Sequence, residues 1–166
     1  INDKWNAFNI LTQNASTVGA IDLKFYNIKD ENNFIFFDKL KNQDFKLLYL
    51  VGSDNLEINK NNEFIIYQGS HGDRNAEIAD VILPSPAYTE QDGLFANLEG
   101  RIQECRKASY PTNESMEDWK IFNLISNNLF KTNLFNDFSS IRELSLKEIP
   151  QFSQIDLLPK RNKATN

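Results

Sequence analysis

Three short apolar runs occupy the middle of the chain. They cover residues 45–51, 64–67 and 80–83, with Gly52 after the first run and Pro84 after the third. Short runs rich in Leu, Ile and Val predict strands that are buried on both faces of a sheet. The connection over residues 52–63 is long enough for a crossover between two parallel strands.

Apolar residues at helical spacing predict helices on either side of these strands. An N-terminal helix should end near Gly19, and a weaker pattern indicates a helix over residues 34–41. Residues 74–79 leave room for one or two further helical turns. The apolar face of the N-terminal helix consists of Trp5, Phe8, Leu11, Ala15 and Val18.

Two more helices are predicted in the last third of the chain. Ser115 followed by Glu117 and Asp118 is typical of a helix start, because acidic side chains favour the first turn. A last helix is expected over residues 139–148. The residues predicted to be buried in these helices are Met116, Trp119, Phe122, Ile125, Leu129, Ile141 and Leu144.

This alternation predicts an α/β fold, a Rossmann-like and mostly parallel sheet with helices on both faces. We expect this domain to span residues 1–150 and an extended basic tail to follow over residues 151–166. Ligands of such sheets bind at the carboxyl ends of the strands. The loops expected at that edge are residues 52–54, 69–73 and 84–86, which are rich in glycine, proline and polar side chains.

Composition excludes several classes of protein. The 166 residues include 13 Phe and 5 Tyr, which argues against disorder, and the net charge of −5 argues against nonspecific nucleic-acid binding. No apolar run approaches the ~20 residues of a membrane helix, so we expect no direct membrane insertion. One cysteine excludes a disulfide framework and a four-cysteine cluster within this chain. Because the chain begins at Ile1, we expect a piece of a longer protein or a processed product.

Few side chains are candidates for chemistry. His71 is the only histidine and has Asp73 nearby as an orienting acid, while Cys105 lies beside the basic residues Arg106 and Lys107. A lone histidine cannot build a typical zinc site, and nothing in the sequence brings His71 and Cys105 together. We therefore expect no catalytic residue and no metal ligand in this chain.

The turn at Gly52, Ser53 and Asp54 resembles a phosphate cradle by its position after a strand. The carboxylate of Asp54 would repel a phosphate, and the glycine-rich dinucleotide fingerprint is absent from the sequence. These three residues are therefore only weak candidates for a cofactor site.

Residues 79–103 carry the most specific pattern, which is a strand, a proline break, a turn at Asp92-Gly93, an extended piece and a turn at Glu99-Gly100. Three residues in this stretch carry carboxylates, the group that forms catalytic pairs in many enzymes. We instead expect them to form a hydrogen-bonded loop network with Asn97 and Arg101. The three carboxylates are those of Glu90, Asp92 and Glu99.

The sequence resembles the molybdopterin oxidoreductase family. Residues 79–84 read ADVILP and residues 89–103 read TEQDGLFANLEGRIQ, which are similar to motifs of that family. Within it, YQGSHGDR at residues 67–74 resembles the large iron–sulfur subunits of respiratory complex I, the NADH:quinone oxidoreductase. The segments WN at 5–6, VGAIDL at 18–23, LYLVGSD at 48–54 and EDWKI at 117–121 fit the same group in order.

The resemblance implies a scaffold role. Subunits of this group carry iron–sulfur clusters in an amino-terminal part, and this chain resembles the later half of the following molybdopterin-oxidoreductase-like domain. Cofactor-binding relatives continue the glycine turn as Gly-x-Asn-Pro, whereas this chain has Gly52, Ser53, Asp54 and Asn55. We therefore expect no cofactor in this chain and no catalysis by the chain alone.

The resemblance also implies partners and a location. The expected partners are the iron–sulfur half of the same subunit and other subunits of the peripheral arm of complex I. That arm lies at the inner membrane on the mitochondrial matrix side or on the bacterial cytoplasmic side. Two alternatives stay open, which are a molybdopterin-binding enzyme domain and a free-standing module that binds a mononucleotide or another anion.

Overall fold

The structure is a computed structural model that describes residue 12 and residues 16–25, 32–42, 44–53, 56–72 and 74–157. The described residues fall into two compact units. The hairpin unit lies within residues 1–28, 93–105 and 142–166, and the sheet unit lies within residues 29–92 and 106–141.

The elements follow the predicted order of helices and strands. The helices are α1 (Ser16–Asp22), α2 (Asn32–Lys41), α3 (Arg74–Glu77), α4 (Asp118–Phe130) and α5 (Phe138–Glu148), with 3-10 helices at Tyr88–Glu90 and Pro150–Ser153. The strands are β1 (Leu47–Val51), β2 (Phe64–Gly69), β3 (Val81–Pro84), β4 (Gly93–Ala96) and β5 (Ile102–Cys105).

The sheet unit contains a parallel three-stranded sheet in the order β1-β2-β3. Leu48 pairs with Ile65, and Tyr67 pairs with Ile82. All three strands coincide with the apolar runs of the sequence, because residues that can be buried on a pleated surface have high strand propensity. The predicted α/β class with a parallel sheet is thus confirmed.

One face of this sheet, the core face, carries the hydrophobic core. Its four central side chains are those of Leu48, Leu50, Ile65 and Tyr67, which are at most 6% exposed. Ile58 from the connection between β1 and β2 packs here, and so does Ala76 from α3. Both connections therefore lie against the same face of the sheet. This is expected, because right-handed crossovers all lie on one face when successive strands are added in one direction across the sheet.

The opposite face, the open face, is only partly covered. Helix α4 reaches it at two points. The ring of Phe122 stacks on Tyr49 with centroids 6.0 Å apart, and Asp118 Oδ1 accepts a 2.6 Å hydrogen bond from Gln68 Nε2. Helices thus lie on both faces. Leu47 on this face is 54% exposed, so the prediction that β1 is buried on both faces is wrong for the described residues.

The hairpin unit is built on the antiparallel pair β4 and β5. Ala96, Ile102 and Phe152 form its buried core. The turn between the strands needs Gly100, whose φ is +78°, and Asn97 Oδ1 accepts the backbone N–H groups of Glu99 and Arg101. The sequence predicted the two turns and the extended piece.

The ends of the chain differ from the expectations in detail. Helix α1 continues past Gly19 to Asp22, so Gly19 does not end the helix. Residues 150–153 are helical and Phe152 is buried, so the first residues of the predicted tail are packed instead of extended. The predicted boundary at residue 150 stays a prediction. Trp5, Phe8, Leu11, Ala15 and the basic run at 160–163 lie outside the described residues.

Asp80, the residue before β3, holds the first residues of β2 in place. Its carboxylate accepts a 2.6 Å hydrogen bond from Lys60 Nζ and a 2.8 Å hydrogen bond from the N–H of Ile65, and these two bonds lower its pKa. A lowered pKa means that Asp80 stabilises the fold above the ordinary aspartate pKa of about 3.9, and that this contribution is lost as the pH falls through the folded-state value.

We therefore expect Asp80→Asn to lower the melting temperature at pH 7, and this effect to shrink as the pH falls below about 3.9 and the wild-type carboxylate becomes protonated. Thermal melts of the purified polypeptide from pH 2 to pH 8 measure this. Asp44→Asn, which changes an exposed aspartate, is the control and should follow the wild type. A difference between wild type and Asp80→Asn that is constant across this range would contradict the expectation.

Candidate functional site

The loops at the carboxyl edge of the parallel sheet surround an open cavity of about 760 Å³. Its lining comes from the ends of β2 and β3 and from the loop that precedes α4. The lining residues are 69–71, 84–85, 87, 90 and 112–115. This is the edge at which the sequence predicted a site. The hydroxyl groups of Ser70, Ser85, Thr112 and Ser115 give the cavity polar walls that suit a hydrogen-bonding ligand.

Tyr67 and Gly69 determine the shape of the cavity wall that is formed by the end of β2 and the loop after it. The hydroxyl of Tyr67 donates a 3.1 Å hydrogen bond to the carbonyl oxygen of His71, so a residue that is 1% exposed holds the loop after β2. A Cβ at Gly69 would lie 2.5 Å from Tyr67 Oη. The glycine is therefore required by the close approach of the tyrosine ring.

His71 is exposed at the tip of this loop. Its Nδ1 lies 2.8 Å from Ser70 Oγ. Asp73, the acid predicted to orient the imidazole, lies outside the described residues. Cys105 is half-buried at the end of β5 and belongs to the hairpin unit, whereas His71 belongs to the sheet unit.

The predicted carboxylates support loops. Glu90 Oε2 accepts the N–H of Ala87 at 3.0 Å, and Asp92 Oδ1 accepts the N–H of Lys107 at 3.0 Å. Glu99 takes part through its backbone N–H, which donates to Asn97. The structure therefore places these residues in three separate loop contacts, and the predicted network with Asn97 and Arg101 includes only Glu99, through its backbone.

The turn after β1 is closed by a buried amide. Gly52 has a φ of +55°, and the carbonyl oxygens of Ser53 and Leu56 both accept hydrogen bonds from Asn75 Nδ2, the latter at 2.9 Å. Asn75 is fully buried. A phosphate cradle directs backbone N–H groups inward, whereas this turn directs two carbonyl oxygens inward. The described part of the turn does not fit a phosphate, and Asp54 lies outside the described residues.

Sequence reasoning missed two polar residues, Gln68 and the Asn75 just described. Tyr49 Oη donates a 2.5 Å hydrogen bond to Gln68 Oε1, and Gln68 Nε2 donates to Asp118. Burial and, to a smaller extent, the negative charge of Asp118 raise the pKa of Tyr49. This chain of hydrogen bonds joins β1, β2 and α4 beside the cavity. No local sequence signal marks Gln68 or Asn75, because their partners are far away in the sequence.

Within residues 12–157, as far as the structure describes them, no three His, Cys, Asp or Glu side chains are grouped so that they could hold a metal ion. None of the described helices has the length and apolar character that crossing a membrane requires.

Several known proteins are similar to this chain. The family model described as molybdopterin oxidoreductase matches residues 1–128. The chain is 39% identical over 157 residues to the NADH-ubiquinone oxidoreductase 75 kDa subunit of Reclinomonas americana, covering 94% of this chain and 22% of that protein. It is 41% identical over 154 residues to an NADH-quinone oxidoreductase subunit of Rickettsia bellii, covering 92% of this chain and 21% of that protein.

A third relative is the mitochondrial NADH-ubiquinone oxidoreductase 78 kDa subunit of Candida albicans, which is 40% identical over 149 residues. That match covers 88% of this chain and 19% of the relative. The chain therefore spans about a fifth of the length of the curated relatives that it matches. The motifs that suggested a complex I subunit lie within residues 1–128, the range that the family model matches.

Proposed function

Because this chain belongs to the molybdopterin oxidoreductase family, and its relatives are subunits of NADH:quinone oxidoreductases, we propose that it is a scaffold segment of respiratory complex I. In this role it has no redox centre of its own and belongs to the peripheral arm. The observation that carries the proposal is the identity of about 40% to the NADH-quinone and NADH-ubiquinone oxidoreductase subunits along nearly the whole chain.

The turn after β1 supports a scaffold role over a cofactor-binding role. The amide of Asn75 occupies the inside of this turn, and the two carbonyl oxygens around it would repel a phosphate group. Gly52 and Ser53 are therefore vestigial, and we place Asp54 with them. The single cysteine agrees with this role, because clusters held by four cysteines need ligands that this chain lacks.

The partners proposed for this segment are the iron–sulfur part of the same subunit and the neighbouring subunits of the peripheral arm. Its proposed location is the inner membrane surface on the mitochondrial matrix side or the bacterial cytoplasmic side. The test is a native gel of mildly solubilised membranes, in which the polypeptide should migrate with NADH dehydrogenase activity. Migration only at a lower mass, apart from that activity, would overturn the proposal.

One observation favours a second candidate, a module that binds a small polar ligand or an anion. The cavity of about 760 Å³ lies at the carboxyl edge of the sheet, where ligands of such folds bind. Glu90 and Glu114 in its lining disfavour an anion, because two carboxylates oppose negative charge. Calorimetric titration of the purified polypeptide with an uncharged nucleoside and with its monophosphate separates this candidate from the scaffold. Saturable binding of either ligand would support the module, and binding of neither would contradict it.

We expect purified complex to contain no molybdenum or tungsten attributable to this polypeptide. The physical reason is the inward-facing carbonyl groups of Ser53 and Leu56, which present acceptors to the phosphates of a pterin dinucleotide where donors are needed. Elemental analysis and pterin fluorescence after acid oxidation measure this. Stoichiometric metal accompanied by a pterin signal would contradict the expectation, and the iron content of the same sample is the positive control.

We also expect His71→Ala and Cys105→Ser to leave electron transfer from NADH to quinone within about twofold of wild type. His71 is an exposed loop residue whose described side-chain partner is Ser70, and general acid–base chemistry needs an oriented imidazole. The assay is NADH oxidation by assembled complex, normalised to the amount on a native gel. A thousandfold fall in turnover with normal assembly would reveal a site at that residue.

A further inference from the structure

We propose that the cavity at the carboxyl edge of the parallel sheet is a binding site for a small organic diamine, which is held through its ammonium groups. This inference goes beyond the proposed scaffold role and does not depend on it. It rests on three properties of the cavity lining, which are its negative charge, a buried hydroxyl group without a partner, and a supply of hydrogen-bond acceptors.

The lining is negatively charged. Glu90 lies in the 3-10 helix after β3 and Glu114 lies in the loop before α4, whereas no lysine or arginine lines the cavity. None of the ion pairs between described residues involves either glutamate. A cation in the cavity would therefore meet two carboxylates whose charge is not neutralised by a described partner.

Ser85 supplies a hydroxyl group that is buried without a partner. The residue lines the cavity directly after β3 and is only 9% exposed. Its backbone N–H donates to the carbonyl of Gly69 at 3.0 Å, and the carbonyl of the preceding Pro84 accepts the N–H of Met116 at 3.1 Å. The hydroxyl itself has no hydrogen bond to a described residue. Because buried polar groups are nearly always hydrogen-bonded, this fixed hydroxyl points to a ligand in the cavity.

The polar groups of the lining favour a ligand that donates hydrogen bonds. Ser115 Oγ donates to the carbonyl oxygen of Thr112 at 2.7 Å, so its proton is used within the loop and its lone pairs remain for a ligand. The ionised carboxylates of Glu90 and Glu114 only accept hydrogen bonds. An ammonium group has three N–H donors and no acceptor, so its hydrogen bonding is complementary to this lining.

The size of the cavity favours an organic cation over a metal ion. Its volume of about 760 Å³ lies within the roughly 300–1,000 Å³ of small-molecule sites. Among the residues that the structure describes, no three metal-ligating carboxylate, imidazole or thiol side chains are grouped around one point. Because Glu90 and Glu114 belong to separate segments, a linear molecule with an ammonium group at each end suits both carboxylates.

Equilibrium dialysis of the natively purified assembly that contains this polypeptide tests the proposal, with radiolabelled putrescine as the diamine. We expect a saturable site whose affinity falls about tenfold or more in Glu114→Gln, because a charge-assisted hydrogen bond is lost. Glu114→Asp keeps the charge and should retain most of the affinity. Glu143→Gln changes an exposed glutamate of α5 and should bind like wild type. Absence of saturable binding, or wild-type affinity in Glu114→Gln, would overturn the proposal.

Ser85→Ala is the second variant, because it removes the buried hydroxyl without changing a charge. We expect it to weaken putrescine binding about threefold or more, the effect of one lost hydrogen bond. Ser109→Ala changes an exposed serine and is the matched control, which should bind like wild type. Equal affinities in the two serine variants would contradict the role of Ser85.

Competition at constant ionic strength identifies the class of ligand. Unlabelled putrescine should displace the radiolabel. Butanediol, which has the same chain without the charges, inorganic phosphate and Mg²⁺ should not displace it at the same concentration. Displacement by phosphate or butanediol as effective as that by putrescine would contradict the assignment of a cation, and displacement by a lower concentration of Mg²⁺ would overturn the proposal in favour of a metal ion.

The dialysis and the native gel separate this inference from the proposed function. If the polypeptide migrates apart from NADH dehydrogenase activity and still binds putrescine through Glu114, the complex I role is wrong and the diamine site is supported. If it migrates with that activity and binds no putrescine, the complex I role stands and the diamine site is wrong.

Discussion

Replacing Ile65 with alanine is expected to lower the free energy of unfolding by about 2–5 kcal/mol, the range found for large apolar side chains truncated in cores. Ile65 is fully buried at the centre of the core face, in register with Leu48 of β1 and on the same strand as Tyr67. Domains of this size are stable by only about 5–15 kcal/mol. We therefore expect loss of assembled complex, not slower turnover by intact complex.

Urea denaturation of the purified polypeptide measures this effect. Leu129→Ala is the matched control, because it removes a similar side chain that is 68% exposed, and it should change the free energy of unfolding by about 0.5 kcal/mol or less. Equal losses for the two variants would show that the core face is not the main apolar core of the sheet unit.

Gly69→Ala is expected to destabilise the sheet unit by about 1–3 kcal/mol, the usual cost of overpacking. The added Cβ would lie 2.5 Å from Tyr67 Oη and 2.7 Å from Tyr67 Cζ. The ring of Tyr67 is 1% exposed and is held by its hydrogen bond to His71, so it has no room to move aside. The effect should also disturb the wall of the cavity.

Gly72→Ala is the control for this second variant, since a Cβ at Gly72 would meet nothing within 4 Å. A double-mutant cycle gives the cause of the effect. Tyr67→Leu removes the ring atoms that the new Cβ would contact, so Gly69→Ala should cost less in the Tyr67→Leu background than in wild type. Additive losses in the two backgrounds would show that the tyrosine ring is not the reason for the glycine.

The strands were predictable because each is a short apolar run, and burial on a pleated surface requires such a run. Helix α4 was harder. Its predicted buried face included Leu129, which is exposed, whereas the buried residues are Ile121 and Ser126. Helical spacing identifies apolar stripes, but the neighbouring elements decide which residues are buried. Phe122 of the predicted stripe stacks on Tyr49 and is still 37% exposed.

The location of the candidate site was predictable because the carboxyl ends of parallel strands lie at one edge, which brings the loops at residues 52, 69 and 84 to that edge. The contacts within it were not predictable. Asn75 holds the carbonyl oxygens of Ser53 and Leu56, which are 22 and 19 residues away in the sequence. Such pairs depend on the tertiary fold, and the amino-acid sequence around Asn75 carries no trace of them.

The chain of hydrogen bonds through Gln68 has a consequence for folding fidelity. Side chains alternate between the two faces of a strand, so a one-residue slip of β2 along its neighbours would turn Gln68 from Tyr49 and Asp118 into the apolar core. A buried amide without partners costs about 1–3 kcal/mol for each lost partner group. The misregistered sheet would lose these bonds together with the packing of Ile65 and Tyr67. Gln68 thus selects the native register against the slipped alternatives that an all-apolar strand would tolerate.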